Sequence, residues 1–526
     1  MRDFQLPGRS AVYASNGICA TSHPLAALVG VDMLRSGGNA VDAAIAMAFV
    51  LGICEPMMCG IGGDLFALVK PAGSDDVKAL NASGRAPAGF DAAALRAAGH
   101  STIPLDAPAA ITMPGGVDGL CRLSEDWGRK GLAEVLAPAI HYADAGVPAA
   151  PRTADDWRKT GPRLKGAARR FYMNGDQPFA LGQTFRQPQQ ADVLRKIAQQ
   201  GRAGFYEGEV AEDMIASLQA LGGSHTLADL AATRCHYDTP IAGMYRGAEL
   251  IEHPPNGQGA TAILLANILA QFDLAALDPF GAQRAHIEAE AAKLAYDARN
   301  RFIADPDHTT RVAQMLAPET ATQLAALIAP DRVLASVPEA TRAVHKDTVY
   351  LSVVDRDGMA VSMIYSIFHG FGSGLASDKF GILFQNRGAG FTLEQGHPNE
   401  AAGGKRPMHT IIPAMLREGG KISQSFGVMG GAYQPNGHAR VLSNQRDFGM
   451  DLQEAIDAPR SFADGGVLQV ERGYSDAVRQ ELADIGHDVQ IPDTALGGAQ
   501  AVAIDHANGV LIGASDPRKD GIALGY

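Results

Sequence analysis

The sequence predicts a globular protein that combines α-helices with β-strands, and three observations support this. The chain of 526 residues is 46% hydrophobic and 19% charged, so it can bury a sizeable core. Helical patterns dominate the first two thirds, and β-rich runs dominate the last third. No repeat and no Pro-, Gly- or Ser-rich linker divides the chain, so its length allows either one large domain or about two to four smaller ones.

The N-terminal region predicts two helices followed by a glycine turn and a strand. Apolar residues recur with helical spacing over residues 23–36, and the glycine pair at 37–38 suits a left-handed helix end. Asn39 then has the position of an N-cap for a second helix. The glycines of residues 60–64 enter a strand at 65–69, whereas a dinucleotide-binding turn leaves a strand and enters a helix, so that type of site is disfavoured.

The middle of the chain, from Asp91 to about Ala335, predicts mainly helical cover. Its clearest helices are expected at 132–145, 190–200 and 282–300, while residues 310–346 carry no strong element.

Charge and composition exclude several classes of function. The net charge of −12, without clustered basic residues, argues against a nucleic-acid partner. The N-terminus lacks a secretory signal pattern and the most apolar window, residues 40–54, is too short to cross a bilayer, so we expect a cytoplasmic protein without a membrane partner. We expect no cofactor and no metal. The odd number of cysteines, without CxxC spacing, predicts reduced core thiols at Cys19, Cys54, Cys59, Cys121 and Cys235.

Two β-rich runs, 348–355 and 359–367, predict a hairpin joined by a three-residue loop. Such a loop commonly ends in a left-handed glycine, which Gly358 can supply. Counting outward from the loop places Thr348 directly opposite Ser366, so the two hydroxyl side chains share one face.

Short motifs spread over nearly the whole chain, from Gly17 to Tyr526, resemble the γ-glutamyltransferase family of N-terminal-nucleophile hydrolases. The motifs are SHPLA at Ser22, GGNAVDAA at Gly37, GIGGD at Gly60, TVYLSVVDRDG at Thr348, FGSG at Phe371, KRP at Lys405, GGAYQPNGH at Gly430, EAIDAPR at Glu454 and GASDPR at Gly513. Each motif is weak alone, but their joint order is specific.

The resemblance implies an α+β fold of four layers (αββα) and self-cleavage between Asp347 and Thr348. The products would be a large chain of residues 1–347 and a small chain of residues 348–526, which together form one heterodimeric domain. A threonine hydroxyl is a weak nucleophile, and cleavage supplies an α-amine on Thr348 whose pKa near 8 suits a general base.

Three further positions match the family's catalytic machinery. Gly430 and Gly431 correspond to the pair whose backbone N–H groups form an oxyanion hole, where the absence of a Cβ allows a close approach. Ser366 stands where the family usually has a threonine that supports the nucleophile.

The substrate-binding positions depart from the family. Phe368, Arg387 and Gly390 replace an asparagine, a glutamine or glutamate, and an aspartate that bind the α-ammonium group of a γ-glutamyl substrate. A cation at Arg387 would repel that ammonium group by roughly 1 to 4 kcal/mol at intermediate dielectric.

The carboxylate-binding side also differs. Ser83 holds the place of the family's arginine, and Arg85 follows two residues later. His409 and Thr410 replace two serines, and we expect Arg85, His409 and Thr410 to offer donors to a substrate carboxylate.

These departures predict hydrolysis of a small anionic amide. Within the family, the chain resembles the members that hydrolyse oxamate to oxalate and ammonia. Two alternatives stay open: a γ-glutamyl or glutaryl hydrolase or transferase, and a non-catalytic scaffold of the same fold. A higher homo-oligomer is compatible with each of them.

Overall fold

The computed structural model describes residue 5, residues 8–334 and residues 348–526 of the chain. Both predicted N-terminal helices are present, α1 at Pro24–Arg35 and α2 at Ala40–Cys54. His23 caps the first helix, and Asn39 forms a capping box with Asp42 at the start of the second. Every residue of α2 is buried, which explains its apolar sequence.

The remaining helices follow in chain order. They are α3 Ala92–Ala97, α4 Gly116–Trp127, α5 Leu132–Ala145, α6 Pro151–Thr160, α7 Gly166–Tyr172, α8 Pro188–Gln200, α9 Ala203–Tyr206, α10 Gly208–Ala220, α11 Leu227–Ala232, α12 Gly259–Leu269, α13 Ala282–Phe302, α14 Val312–Leu316, α15 Pro318–Ala325, α16 Gln434–Arg446, α17 Leu452–Asp457 and α18 Asp476–Ile485.

The strands are also numbered along the chain. They are β1 Val12–Ala14, β2 Gly17–Thr21, β3 Asp64–Lys70, β4 Lys78–Ala82, β5 Val147–Pro148, β6 Thr184–Phe185, β7 His236–Asp238, β8 Ile241–Tyr245, β9 Ala248–Glu252, β10 Val349–Asp355, β11 Ala360–Ser366, β12 Ala414–Glu418, β13 Lys421–Met429, β14 Ser461–Asp464, β15 Val467–Val470, β16 Asp488–Gln490, β17 Gly498–Asp505, β18 Val510–Ser515 and β19 Ile522–Gly525.

Among the described residues, two seven-stranded antiparallel sheets form the centre of the molecule. One has the order β1-β18-β17-β13-β12-β9-β8, and the other has the order β19-β2-β10-β11-β3-β4-β7. Each sheet contains strands from both sides of Thr348 in the sequence. The two halves of the chain are therefore interleaved through backbone hydrogen bonds.

The sheets pack face to face, and helices cover both outer faces. Leu68 and Val354 of one sheet meet Met415 and Val502 of the other in an apolar cluster. Helix α2 packs on the outer face of the sheet that holds β10, and helices α12 and α16 pack on the other sheet, with α13 packed against α12. This arrangement confirms the α+β fold with four αββα layers.

The predicted hairpin register is also confirmed. Val349 pairs with Tyr365 and Val354 with Ala360, and Gly358 has φ 76° in the three-residue loop. The backbone N–H of Asp355 donates to the carbonyl of Met359 at 3.1 Å, which closes the loop.

Two expectations for the middle of the chain need correction. Strands β7 to β9 interrupt the stretch that was predicted to be mainly helical. Strands this short give only a weak alternating pattern in the sequence, although β8 alternates more and less exposed side chains in the structure. The short helices α14 and α15 fall within residues 310–346, where no strong element was expected. The predicted helices at 132–145, 190–200 and 282–300 lie within α5, α8 and α13.

None of the five cysteines is in a disulfide, and all except the partly exposed Cys235 are buried. In the part of the chain that the structure describes, no helix combines the length and apolar character needed to cross a bilayer.

Candidate active site

Thr348 lies immediately before β10, at the open end of the hairpin. Its Oγ1 is 3.4 Å from the Oγ of Ser366, as the predicted register requires. Both side chains share a face with Tyr350 and Ile364, which pack with Met429 between the two sheets. Thr348 is only 2% exposed, so its hydroxyl is held inside the protein rather than on a free strand end.

The Ser366 hydroxyl oxygen accepts two further hydrogen bonds. The backbone N–H of Phe368 donates to it at 2.9 Å, and Nη2 of Arg387 donates at 3.2 Å. Phe368 has φ 83°, a left-handed conformation that costs a non-glycine residue about 1 to 2 kcal/mol. This backbone turn directs its N–H back towards Ser366.

Arg387 is a fully buried cation in contact with this hydroxyl pair. Its Nη1 donates to Oγ1 of Thr410 at 2.9 Å, and its guanidinium lies 4.0 Å from the centre of the Phe368 ring. Burial lowers the pKa of Arg387 to about 9, although the carboxylate of Asp64 opposes that shift. The Nε–H group of Arg387 is buried without a hydrogen-bond partner among the described residues. An unsatisfied donor of this kind costs about 1 to 3 kcal/mol, and an anion would satisfy it.

Asp64 faces Ser366 across the β3–β11 ladder and binds His409. Burial, followed by the charge of Arg387, lowers the pKa of His409 to about 3, so the imidazole is neutral at pH 7. Its Nε2 therefore donates to Oδ2 of Asp64 at 3.2 Å, and its Nδ1 lies 3.4 Å from the N–H of Ile411. Both nitrogens of the predicted carboxylate ligand His409 are thus engaged within the protein.

Asp64 has a role that sequence reasoning missed, since the strand was expected to begin after it. The GIGGD motif that contains Asp64 indicates family membership but no role for this carboxylate. Its Oδ1 accepts from Gly84 N at 3.0 Å, Gly115 N at 3.1 Å and Gln385 Nε2 at 2.9 Å.

Gly430 and Gly431 form the turn between β13 and α16. Their φ values are 120° and 58°, which favour glycine at both positions. A Cβ on Gly430 would lie 2.8 Å from the Cα of Gly497, so no side chain fits there. This packing requires glycine at position 430, and the oxyanion-hole role of the two backbone N–H groups stays a prediction.

The side chain of Gln258 connects this turn to the Arg387 region. Its Nε2 donates to the carbonyl oxygens of Thr410 at 2.6 Å and Gly431 at 3.0 Å. Its Oε1 accepts from Nη1 of Arg299 at 2.9 Å. The two carbonyls and the arginine fix the orientation of the amide, so Gln258 sets the position of the glycine turn relative to Thr410. Sequence reasoning gave no signal for this residue.

The structure does not bring Arg85 into these contacts. Its Nη1 instead donates to the Asp305 carboxylate at 3.2 Å and to the Gly404 carbonyl at 2.9 Å, and 44% of its side chain is exposed. Asp305 neutralises the charge that was expected to meet a substrate carboxylate.

Two further positions from the sequence analysis are Gly390 and Asp347. Gly390 is constrained by packing, because a Cβ there would lie 2.7 Å from the carbonyl oxygen of Met408. The aspartate of the family pattern would therefore require a backbone shift at this position. Asp347, the residue before the predicted cleavage point, lies outside the described residues.

Comparisons with known proteins agree with this architecture. A family model for gamma-glutamyltranspeptidase matches residues 26–526. The chain is 35% identical to the glutathione hydrolase-like YwrD proenzyme of Bacillus subtilis, over 98% of this chain and 99% of that protein. It is 36% identical to the oxamate amidohydrolase proenzyme of Klebsiella pneumoniae, over 98% of this chain and 100% of that protein.

A solved structure matches the fold over its whole length. The cephalosporin acylase of Bacillus halodurans superimposes with a TM-score of 0.92 and 36% identity, and the match covers 100% of this chain and 99% of the acylase. The family match, the relatives and this four-layer fold together show that the chain belongs to the gamma-glutamyltranspeptidase family of N-terminal-nucleophile hydrolases.

Proposed function

We propose that this chain is an amidohydrolase that cuts itself before Thr348 and then uses the Thr348 hydroxyl to hydrolyse a small anionic amide, with oxamate as the preferred substrate. The observation that carries the proposal is the buried Arg387 cation with its unsatisfied Nε–H, in hydrogen-bond contact with Ser366 beside Thr348. A carboxylate bound at Nε would satisfy this donor and compensate the buried charge.

Self-cleavage would use the Thr348 hydroxyl on its own peptide bond. Oγ1 attacks the carbonyl carbon of residue 347, the C–N bond breaks as an ester to Oγ1 forms, and the hydroxyl proton passes to the new α-amine. Water then hydrolyses the ester, which leaves a carboxylate on residue 347 and a free hydroxyl and α-amine on Thr348. A free α-amine has a pKa near 8, so a useful neutral fraction exists at pH 7.

Turnover would repeat the same chemistry on the substrate. The α-amine of Thr348 takes the proton from Oγ1 as Oγ1 attacks the amide carbon, and the N–H groups of Gly430 and Gly431 stabilise the oxyanion. The amide nitrogen takes that proton and leaves as ammonia. Water then hydrolyses the acyl ester and releases oxalate.

Size and charge favour oxamate over the substrates named for other relatives. The Arg387 guanidinium lies 4.0 Å from the centre of the Phe368 ring, and both residues stand at positions where the family pattern has residues that bind a substrate ammonium group. Oxamate has only two carbons and no ammonium group, so the bulk of Phe368 and the positive charge of Arg387 are compatible with it. The name of the Klebsiella relative, oxamate amidohydrolase, supports this choice. A γ-glutamyl or glutaryl amide stays the second candidate, because the similar proteins include a glutathione hydrolase-like protein and an acylase.

We also propose that the two chains remain together as a heterodimer after cleavage. Strand β10 of the small chain pairs with β2 of the large chain, and β11 pairs with β3. Separation would expose these edges and the core between the sheets.

Ammonia or amine release from a panel of amides would test the substrate. The panel contains oxamate, its neutral analogue oxamide, a glutaryl anilide and a γ-glutamyl anilide. We expect the highest kcat/KM with oxamate, and a lower value with oxamide because it lacks the carboxylate. A preference for either anilide, or equal rates with oxamate and oxamide, would contradict the proposed substrate.

A further inference from the structure

A buried cluster of metal-binding side chains lies apart from the Thr348 contacts, between α13 and the end of α18. It consists of His286 and Glu290, one helical turn apart on α13, and His487, which follows the left-handed Gly486 after α18. One nitrogen or oxygen from each of the three residues lies within 4.8 Å of the others. Nδ1 of His286 is 2.8 Å from Nε2 of His487, which is 3.9 Å from Oε1 of Glu290.

The hydrogen bond on the far side of His286 fixes its tautomer. Its Nε2 lies 2.7 Å from the carbonyl oxygen of Ala329. A carbonyl only accepts, so this Nε2 carries the proton, and the lone pair of Nδ1 points into the cluster. Metal-binding histidines are commonly oriented by such a bond from the other ring nitrogen to a backbone carbonyl.

The second histidine points to the same place, because Nε2 of His487 is the nitrogen that faces both Nδ1 of His286 and Oε1 of Glu290. The side chains of His487 and Glu290 are 2% and 0% exposed. A dication here would be bound by two neutral imidazoles and one carboxylate in a largely dry site.

We propose that His286, Glu290 and His487 form a binding site for a divalent ion of the zinc class. Two imidazoles and one carboxylate are a ligand set that Zn²⁺ accepts, with a fourth position left for water. Tetrahedral coordination at Zn–N bonds of about 2.0 to 2.1 Å separates two nitrogens by about 3.3 Å, so the His286–His487 pair opens by about half an ångström.

One competing cation leaves Glu290 when the metal binds. Nζ of Lys293 lies 2.5 Å from Oε1 of Glu290, and the lysine side chain is 24% exposed, so it can swing into solvent. The proton that His487 shares with His286 moves to Nδ1 of the His487 ring. The carboxylate and both facing nitrogens are then free to ligate.

The proposed ion would anchor a segment that precedes Thr348 in the sequence. Ala329 accepts from His286, Pro330 accepts from Gln283 at 3.1 Å, and Leu334 N donates to Oε2 of Glu290 at 2.7 Å. The metal would fix two of the side chains that hold this 329–334 segment. The segment belongs to the large chain if the chain is cut before Thr348.

Sequence patterns hid this site, and no metal was expected. His286 and Glu290 have the spacing of two ligands on one helix face, but His487 lies about two hundred residues away. Only the docking of α18 on α13 brings it close.

Zinc content of the purified, tag-free protein tests the proposal. The protein is incubated with ZnCl₂, passed over a desalting column with a weak chelator, and analysed for metal by mass spectrometry. We expect about one zinc ion per chain in the wild type and in the control His100→Ala, which removes an exposed histidine. Zinc should also raise the Tm of both proteins, because it binds the folded form.

The variant His487→Gln separates a metal site from a hydrogen-bonded histidine pair. The glutamine amide can still donate to Nδ1 of His286, so the fold and the 329–334 contacts should persist, but the nitrogen ligand is lost. We expect this variant to retain no zinc and to lose the zinc-dependent rise in Tm. Absence of zinc from the wild type, or equal zinc in His487→Gln, would overturn the proposal and leave a hydrogen-bonded histidine pair only.

Discussion

The hairpin end that carries Thr348 meets the Arg387 cluster, which consists of Arg387, Phe368 and Thr410, at Ser366, yet the two regions follow the family pattern to different degrees. Thr348, Gly430 and Gly431 keep the residue types that nucleophilic attack and oxyanion binding require. Arg387 and Phe368 depart from that pattern and bring a cation and a ring into the same site. The reaction chemistry and the substrate choice can therefore change separately on one scaffold.

The hydroxyl of Ser366 joins the two regions. Ser366 Oγ accepts from Thr348 on one side and from Arg387 on the other, at 3.4 and 3.2 Å. Variants on the two sides should consequently affect different kinetic parameters.

Replacing the nucleophile should have the largest effect. Thr348→Ala has no hydroxyl, so it should neither cut itself nor hydrolyse oxamate, with a loss of at least about a thousandfold in kcat. Thr348→Ser keeps a hydroxyl and should still be cut. Gel electrophoresis and ammonia release measure the two effects. Cleavage of the alanine variant before residue 348 in the absence of protease would show that another group performs the reaction.

Changing the Arg387 cluster should affect substrate binding more than the rate of the chemical step. Arg387→Gln removes the cation, and we expect kcat/KM for oxamate to fall by about ten- to 150-fold, since a charged hydrogen bond contributes about 1.5 to 3 kcal/mol. Steady-state kinetics on fully cleaved protein give the value. The neutral amide oxamide should lose much less.

Arg85 provides a matched control for this comparison. Its guanidinium is bound to Asp305 and is partly exposed, so Arg85→Gln should leave the KM for oxamate nearly unchanged. A larger effect from Arg85→Gln than from Arg387→Gln would show that Arg85, and not Arg387, binds the substrate carboxylate. Adding Phe368→Asn to Arg387→Gln should open some γ-glutamyl activity, whereas Gly390→Asp should not be included because of the Met408 carbonyl.

The support of the glycine turn should affect kcat rather than KM. In Gln258→Glu, a carboxylate oxygen would face the carbonyls of Thr410 and Gly431, which repel it. Displacement of the turn should lower kcat by about ten- to a hundredfold, less than the loss of an entire oxyanion donor. The control Gln219→Glu, on α10, alters an amide that donates to the carbonyl of His225. A change confined to KM would argue against the proposed placement of the oxyanion.

The last prediction concerns acid stability rather than catalysis. The pKa of His409 is lowered to about 3 in the folded state, against an ordinary value of 6.5, so below pH 6.5 the unfolded chain binds a proton that the folded chain does not. The free energy of unfolding therefore decreases as the pH falls from 6.5 towards 3, by up to about 1.4 kcal/mol per pH unit. His409→Asn keeps a donor for Asp64 without this titration. Its Tm should fall less than the wild-type Tm between pH 7 and pH 5. An equal fall in Tm for both proteins would contradict the lowered pKa of His409.

The hairpin shows which features the sequence determines. Its register follows from the loop length and the two-residue period of a strand, so the pairing of Thr348 with Ser366 could be predicted. The two N-terminal helices were predicted for a similar reason, because their caps and apolar spacing are local.

The contacts around the Arg387 cluster join residues that are far apart in the sequence. The pairing of Asp64 with His409 joins residues 345 positions apart, and the Gln258 amide bridges two loops from different parts of the chain. No spacing rule connects such residues. Arg85 illustrates the same limit, because the sequence shows its charge but not the carboxylate of Asp305 that neutralises it.

The intact masses of the purified wild-type chains, together with the N-terminal sequence of the smaller one, test the central claim most directly. We expect two chains that copurify, with the smaller one comprising residues 348–526 and beginning with a free Thr348 amine. A single uncut chain that still hydrolyses amides, or a small chain that begins at any other residue, would contradict the account.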